Sequence, residues 1–127
     1  MRIKCIHNLS SDLPEALQDY AFTQDQHGTL DISVGQEYQV FGIRNSSDLG
    51  KLYLTSTNSR SLPWWMPESL YEVVDDTMPS TWTEVIETHE GIKSNVVAPP
   101  IYHGHEEDIA DSTPEGHKIF QQMQIES

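Results

Sequence analysis

The chain has a single cysteine, Cys5, in 127 residues. A disulfide framework is thereby excluded, and so is any zinc ribbon, which needs repeated Cys-Cys spacings. Basic residues are scarce: Lys and Arg number 7 against 20 Asp and Glu, a formal charge of −13. Nucleic acid and anionic membrane are therefore not expected as partners, because each phosphate contact calls for a Lys or Arg. Long apolar runs are missing too. The longest, around Asn95–Ile101, falls far short of the about 20 residues that cross a bilayer. No apolar stretch of the length of a secretory signal follows the basic start. A free thiol without such a signal leads to the expectation of a cytoplasmic protein. The sequence also lacks a nucleophile elbow, a phosphate-cradling Gly loop and a dinucleotide fingerprint. An enzyme is accordingly the less expected class, and no cofactor is implied.

What is present is unevenly placed. Residues 1–60 carry five basic and seven acidic side chains, a net of −2, whereas residues 61–127 carry only Lys93 and Lys118 against thirteen acids, a net of −11. A surface of that sign attracts and steers a basic protein at low salt. Solubility alone is the plainer account of it.

Along the chain, Ile3, Cys5 and His7 alternate with Lys4 and Ile6 as in a strand. Asp12-Leu13-Pro14-Glu15 reads as a helix start, and Leu13, Leu17 and Tyr20 make one apolar stripe ending near Phe22. Glu37–Ile43 is a strand, Asn45–Gly50 is turn chemistry, and Lys51–Thr55 is the returning strand of a hairpin. Pro67–Leu70 predicts one tight helical turn before a strand over Tyr71–Val74 that closes at Asp75-Asp76. Trp82, Val85 and Ile86 predict a strand with Glu84 and Glu87 turned to water. Val96, Val97, Ile101 and Tyr102 form another extended piece, placed at an edge because Pro99-Pro100 interrupts it. Pro114–Ile125 predicts a helix with Ile119, Phe120 and Met123 on its apolar side.

Five or six short strands imply a single mostly β domain, a small antiparallel barrel with a short N-terminal helix and a C-terminal helix. The barrel core is expected over about residues 28–90, and a C-terminal extension over 91–127. The order of hairpin, Trp64-Trp65 pair, Pro67-x-x-Leu70 turn and closing strand resembles an SH3-like barrel. Leu30-x-x-x-Val34-Gly35-x-Glu37-Tyr38-x-Val40 and Trp65-x-Pro67-x-x-Leu70-Tyr71-Glu72-Val73-Val74-Asp75 carry a wider likeness, with Cys5-Ile6, Asp12-Leu13-Pro14 and Trp82. Together they resemble an uncharacterised family of small bacterial SH3-like-barrel proteins, loosely similar to toxin-immunity proteins. The likeness runs over about residues 1–82 and implies no catalytic residue. The segment from Gly91 to Asp111 departs from its pattern.

Four groups of residues could carry chemistry. Cys5 and His7, two apart on a strand, could form a thiol–imidazole dyad, though nothing supplies an oxyanion site and a lone Cys is ordinarily a small core residue. His103 and His105, with His117 or a nearby carboxylate, could share a divalent metal; the Gly104 between them suits a flexible loop equally well. Tyr38, Tyr53, Trp64, Trp65, Tyr71 and Trp82 could ring a groove for proline-rich peptides, or simply fill a core. Finally, Glu84, Glu87, Glu106, Glu107 and Asp108 could stand in for substrate phosphates against a basic partner such as a toxin, with Trp64 or Trp65 as the desolvated anchor. That last arrangement, an acidic protein-interaction module, is the leading expectation.

Overall fold

The computed structural model describes residues 1–18 and 28–125. Among these residues, seven strands form one antiparallel sheet: β1 (Arg2–Cys5), β2 (Glu37–Ser46), β3 (Gly50–Thr55), β4 (Trp64–Pro67), β5 (Tyr71–Asp75), β6 (Thr83–His89) and β7 (Ile92–Ala98). Three helices accompany them: α1 (Glu15–Gln18), α2 (Glu106–Ala110) and α3 (Pro114–Ile125). A 3-10 turn at Glu68–Leu70 joins β4 to β5, and another at Pro100–Tyr102 follows β7.

The long strand β2 organises the sheet. Its first residues pair with β1, which in turn pairs with β5; its later residues lie between β3 and β7. β3 then carries β4, and β7 carries β6. A bulge between Val40 and Gly42 shifts the register against β3. The extra residue re-phases the alternation of side chains. Tyr38, Val40 and Ile43 thus share one side of the sheet, and Phe41 reaches the other. The sheet is not closed: among the described residues β4, β5 and β6 each pair on one side only.

Two apolar clusters cover the two sides. The first joins Ile3, Cys5, Leu13, Leu17, Leu30, Ile32 and Trp82 to the β2 residues just named and to Tyr53, Met66 and Tyr71. The second packs Phe41, Leu54, Val96 and Ala98 beneath Tyr102, Ile109 of α2, and Ile119, Phe120 and Met123 of α3. α3 spans the residues its apolar spacing predicts. Thr113 caps it by accepting the N–H of Gly116 at 3.0 Å, and Pro114 fills the first helical position, where a missing N–H costs nothing. Tyr20 and Phe22 of the expected N-terminal stripe lie outside the described residues, while Leu13 and Leu17 are buried.

The chain around the prolines departs from expectation. Of the extended piece expected at an edge, Val96 and Val97 belong to β7, an interior strand between β2 and β6, while Ile101 and Tyr102 lie in the 3-10 turn. Pro99 and Pro100 lie just beyond the last residue of β7, where no ladder N–H is needed. No helix of the described residues is long and apolar enough to cross a membrane.

Candidate functional site

Where the C-terminal helices stop short, the sheet face they cover is left open. The exposed part is a cleft of about 280 Å³ whose lining includes Arg44 and Ser46 of β2, Leu52 of β3, Trp65 of β4, Glu87 of β6 and Ser94 of β7. Antiparallel pairing explains why these side chains converge. Residues directly opposite point to the same side; Arg44 faces Leu52 and Val96, Ser46 faces Ser94, and Ser94 faces Glu87. Asp48 and Leu49, in the β2–β3 turn, and Ile92, at the start of β7, form the rim.

Arg44 is the centre of the site. Its guanidinium lies 4.8 Å from the Trp65 ring centroid, and one Nη is 3.2 Å from Glu87 Oε2. Gly42 leaves room beside the stack. A Cβ there would come within 3.4 Å of the Trp65 ring edge and 3.3 Å of Ala98 Cβ, so a larger residue would press these neighbours back by a few tenths of an ångström. Both partners of the ion pair are largely enclosed, with 21% and 24% of their side chains exposed. Arg44 Nε and Glu87 Oε1 are each buried without a hydrogen-bond partner.

Behind Glu87 stands Glu106, at the first turn of α2. Burial pushes Glu87 up, against the pull of Arg44; the neighbouring Glu106 carboxyl, as charge and as proton acceptor, pushes it further. Glu106 moves the opposite way. Burial opposes its ionisation, but the Gly104 N–H at 3.0 Å, its own N–H and the Glu87 carboxyl hold it below the usual range. The two neighbouring carboxyls are thus displaced in opposite directions, Glu87 up and Glu106 down. Trp65 in turn donates its indole N–H to Tyr102 at 3.3 Å, which ties the cleft floor to the second core cluster.

The structure redistributes the residues singled out from the sequence. Glu84 and Glu87 do not both face water: three apart on a strand, they point to opposite sides, so Glu84 is exposed and Glu87 is drawn in to Arg44. Ile86 takes the outward position and is 64% exposed. Trp64 and Trp65 do face opposite sides, the first packing on one cluster and the second on the other. Neither is a bare aromatic surface, since Arg60 lies 4.7 Å over Trp64 as Arg44 lies over Trp65. Glu107 is exposed, whereas Asp108 accepts the Thr113 hydroxyl at 2.9 Å and faces His105 at 3.3 Å.

The three metal candidates are not gathered into one site. His103 meets the Thr83 carbonyl at 3.0 Å, His105 pairs with Asp108, and His117 is exposed on α3. No group of three or more His, Cys, Asp or Glu among the described residues could hold a metal ion. Cys5 is buried, donates its thiol to the His7 carbonyl at 3.3 Å, and is pushed up by that burial. The His7 imidazole is turned to Asp12 instead, 4.0 Å away. A thiol raised in this way is protonated and inert as a nucleophile. Of the aromatic set, Tyr38, Tyr53, Tyr71 and Trp82 are core residues.

Arg44, Ser46, Asp48 and Ser94 carry the cleft without having been singled out. The available signal was Arg44 itself, the one cation of β2 beside the apolar run Val40–Ile43, which needs an opposite charge once buried. Comparison with protein families, with curated proteins and with solved structures finds no match to this chain.

Proposed function

We propose that this protein is an acidic interaction module that docks a basic protein and blocks it by occlusion, in the manner of an immunity or inhibitor protein. The observation that carries the reading is uncompensated charge. Glu68, Glu72, Asp76, Glu84, Glu107, Asp111 and Glu115 are exposed and make no ion pair among the described residues. A surface left so negative is stabilised by a partner of opposite sign, and its field speeds the encounter. The scaffold we infer is an open SH3-like barrel enlarged by the β6–β7 hairpin and α2–α3. Supporting it are the strand order β4-β3-β2-β1-β5 and the 3-10 turn between β4 and β5.

The docking face is assigned to β6 and the first turn of α2, which adjoin where His103 meets Thr83 and Glu106 meets Glu87. Glu106 and Asp108 hold local structure there, so reversing them would confound folding with docking. Glu84 and Glu107 are free of such duties. The test is retention of partners from native lysate on immobilised protein, at low and high salt, for wild type and for the Glu84→Lys/Glu107→Lys variant. A basic protein held at low salt, released by high salt and lost from the variant is the expected result. Retention indifferent to both would sink the reading.

A further inference from the structure

The cleft beside this face has a chemistry of its own. Its volume of about 280 Å³ sits just below the roughly 300–1,000 Å³ of small-molecule sites. That is room for one inserted side chain. Its upper walls, Leu49, Leu52 and Ile92, are aliphatic, which suits a methylene stem. Its lower end is charged. Arg44 is spent on Trp65 and Glu87 Oε2, which leaves two carboxyls without a cation, Asp48 exposed on the rim and Glu106 behind Glu87, while Glu87 Oε1 is buried with no hydrogen-bond donor. One cation against three carboxyls makes the site net negative. An anion would have to displace Glu87 from Arg44, whereas a cation balances what is left over.

We propose that the cleft receives a single arginine or lysine side chain of the basic partner, its stem against Leu49, Leu52 and Ile92 and its charged end between Asp48 and Glu87. The proposal rests on the docking reading above and supplies its anchor: the buried, specific contact that an exposed acidic field lacks. Arg44 then acts as the fixed counter-charge that keeps Glu87 in place, and Trp65 as the flat wall beside both cations.

Its test is separable from that of docking. n-Butylguanidinium, n-butylammonium and butyrate are titrated into 15N-labelled protein, and the Trp65 indole N–H and the Leu49 and Leu52 amides are followed. Both cations should give saturable shifts at these positions and butyrate none. Asp48→Asn should weaken the cations about two- to fivefold, the range of one exposed ion pair, and Ile92→Trp, which fills the rim, should abolish the shifts. Butyrate binding as well as the cations, or cations that leave Trp65 unmoved, would overturn the assignment. In the lysate experiment, Ile92→Trp should lose the partner that Glu84→Lys/Glu107→Lys also loses. If Ile92→Trp keeps it, the docking reading stands and the anchor falls; if wild type retains nothing basic, docking falls and the titration alone decides the cleft.

Discussion

Tyr102 shows how one side chain links the cleft to the core. It is 1% exposed, accepts the Trp65 indole N–H, and is pushed by burial up to about 12, the bond from Trp65 pulling the other way. Tyr71 is raised as well, first by burial and then by the Cys5 thiol and the Tyr38 hydroxyl. In the unfolded chain these phenols ionise near 10. A raised phenol holds its proton longer in the folded state, so its contribution to stability is whole below pH 10 and is lost as pH climbs toward the folded value. For Tyr102 the loss at pH 11 is about 1.4 kcal/mol. Urea unfolding at pH 9 and pH 11 should show a smaller alkaline loss in Tyr102→Phe than in wild type, by roughly that amount; equal losses would place the sensitivity elsewhere. Single residues were the least legible level of this sequence. Cys5 could be read as core from its rarity and spacing. Glu87, by contrast, differs from Glu84 only in which side of a strand it occupies, and its partner Arg44 lies on another strand.

At the scale of elements, the sequence spoke clearly where one local rule decides. The helix over Pro114–Ile125, the hairpin of β2 and β3 and the 3-10 turn before β5 follow from capping, turn chemistry and alternation. It misled where a tertiary neighbour decides. β7 gains its interior place from β2 and β6 on either side, and α2, a short acidic helix, gains its stability from α3. That dependence can be tested at Gly116, which sits where α3 crosses α2. A Cβ there would collide with the Asp108 backbone carbonyl. Alanine is favoured over glycine in a helix by about 1 kcal/mol, but overpacking against rigid backbone costs about 1–3 kcal/mol, so the clash wins. Gly116→Ala should lower the urea midpoint and loosen the second core cluster, read as faster hydrogen exchange at Ile109 and Phe120. A variant as stable as wild type would show that α2 and α3 are free to shift apart.

For the whole molecule, the dominant fact is a net charge of −13 against two Arg–carboxylate pairs among the described residues, Arg2–Glu37 and Arg44–Glu87. Self-repulsion of this size works against the compact state, and salt relieves it. Going from about 0.01 M to about 0.15 M salt shortens the screening length from about 30 Å to about 8 Å. The melting temperature should rise by about 3 °C or more; a fall would mean that attractive pairs, not repulsion, dominate the folded state. The fold class was legible at this scale because composition, strand spacing and turns all point to a small β domain. The site was not, because a cleft is made by chain segments that meet only in space. Strand β2 brings them together, and this has a consequence in time. It pairs with a strand that precedes it by some thirty residues and with one that follows it by some fifty. Its neighbour β1 must also wait for β5, on the far side of the β3–β4 hairpin. Only β2–β3, β3–β4 and β6–β7 can form from nearby chain, and the closures that complete the sheet span long loops whose ordering entropy comes due first. The charged cleft draws on two locally formed units, β2–β3–β4 and β6–β7, so it comes into being only when the long closure of β2 on β7 brings them together.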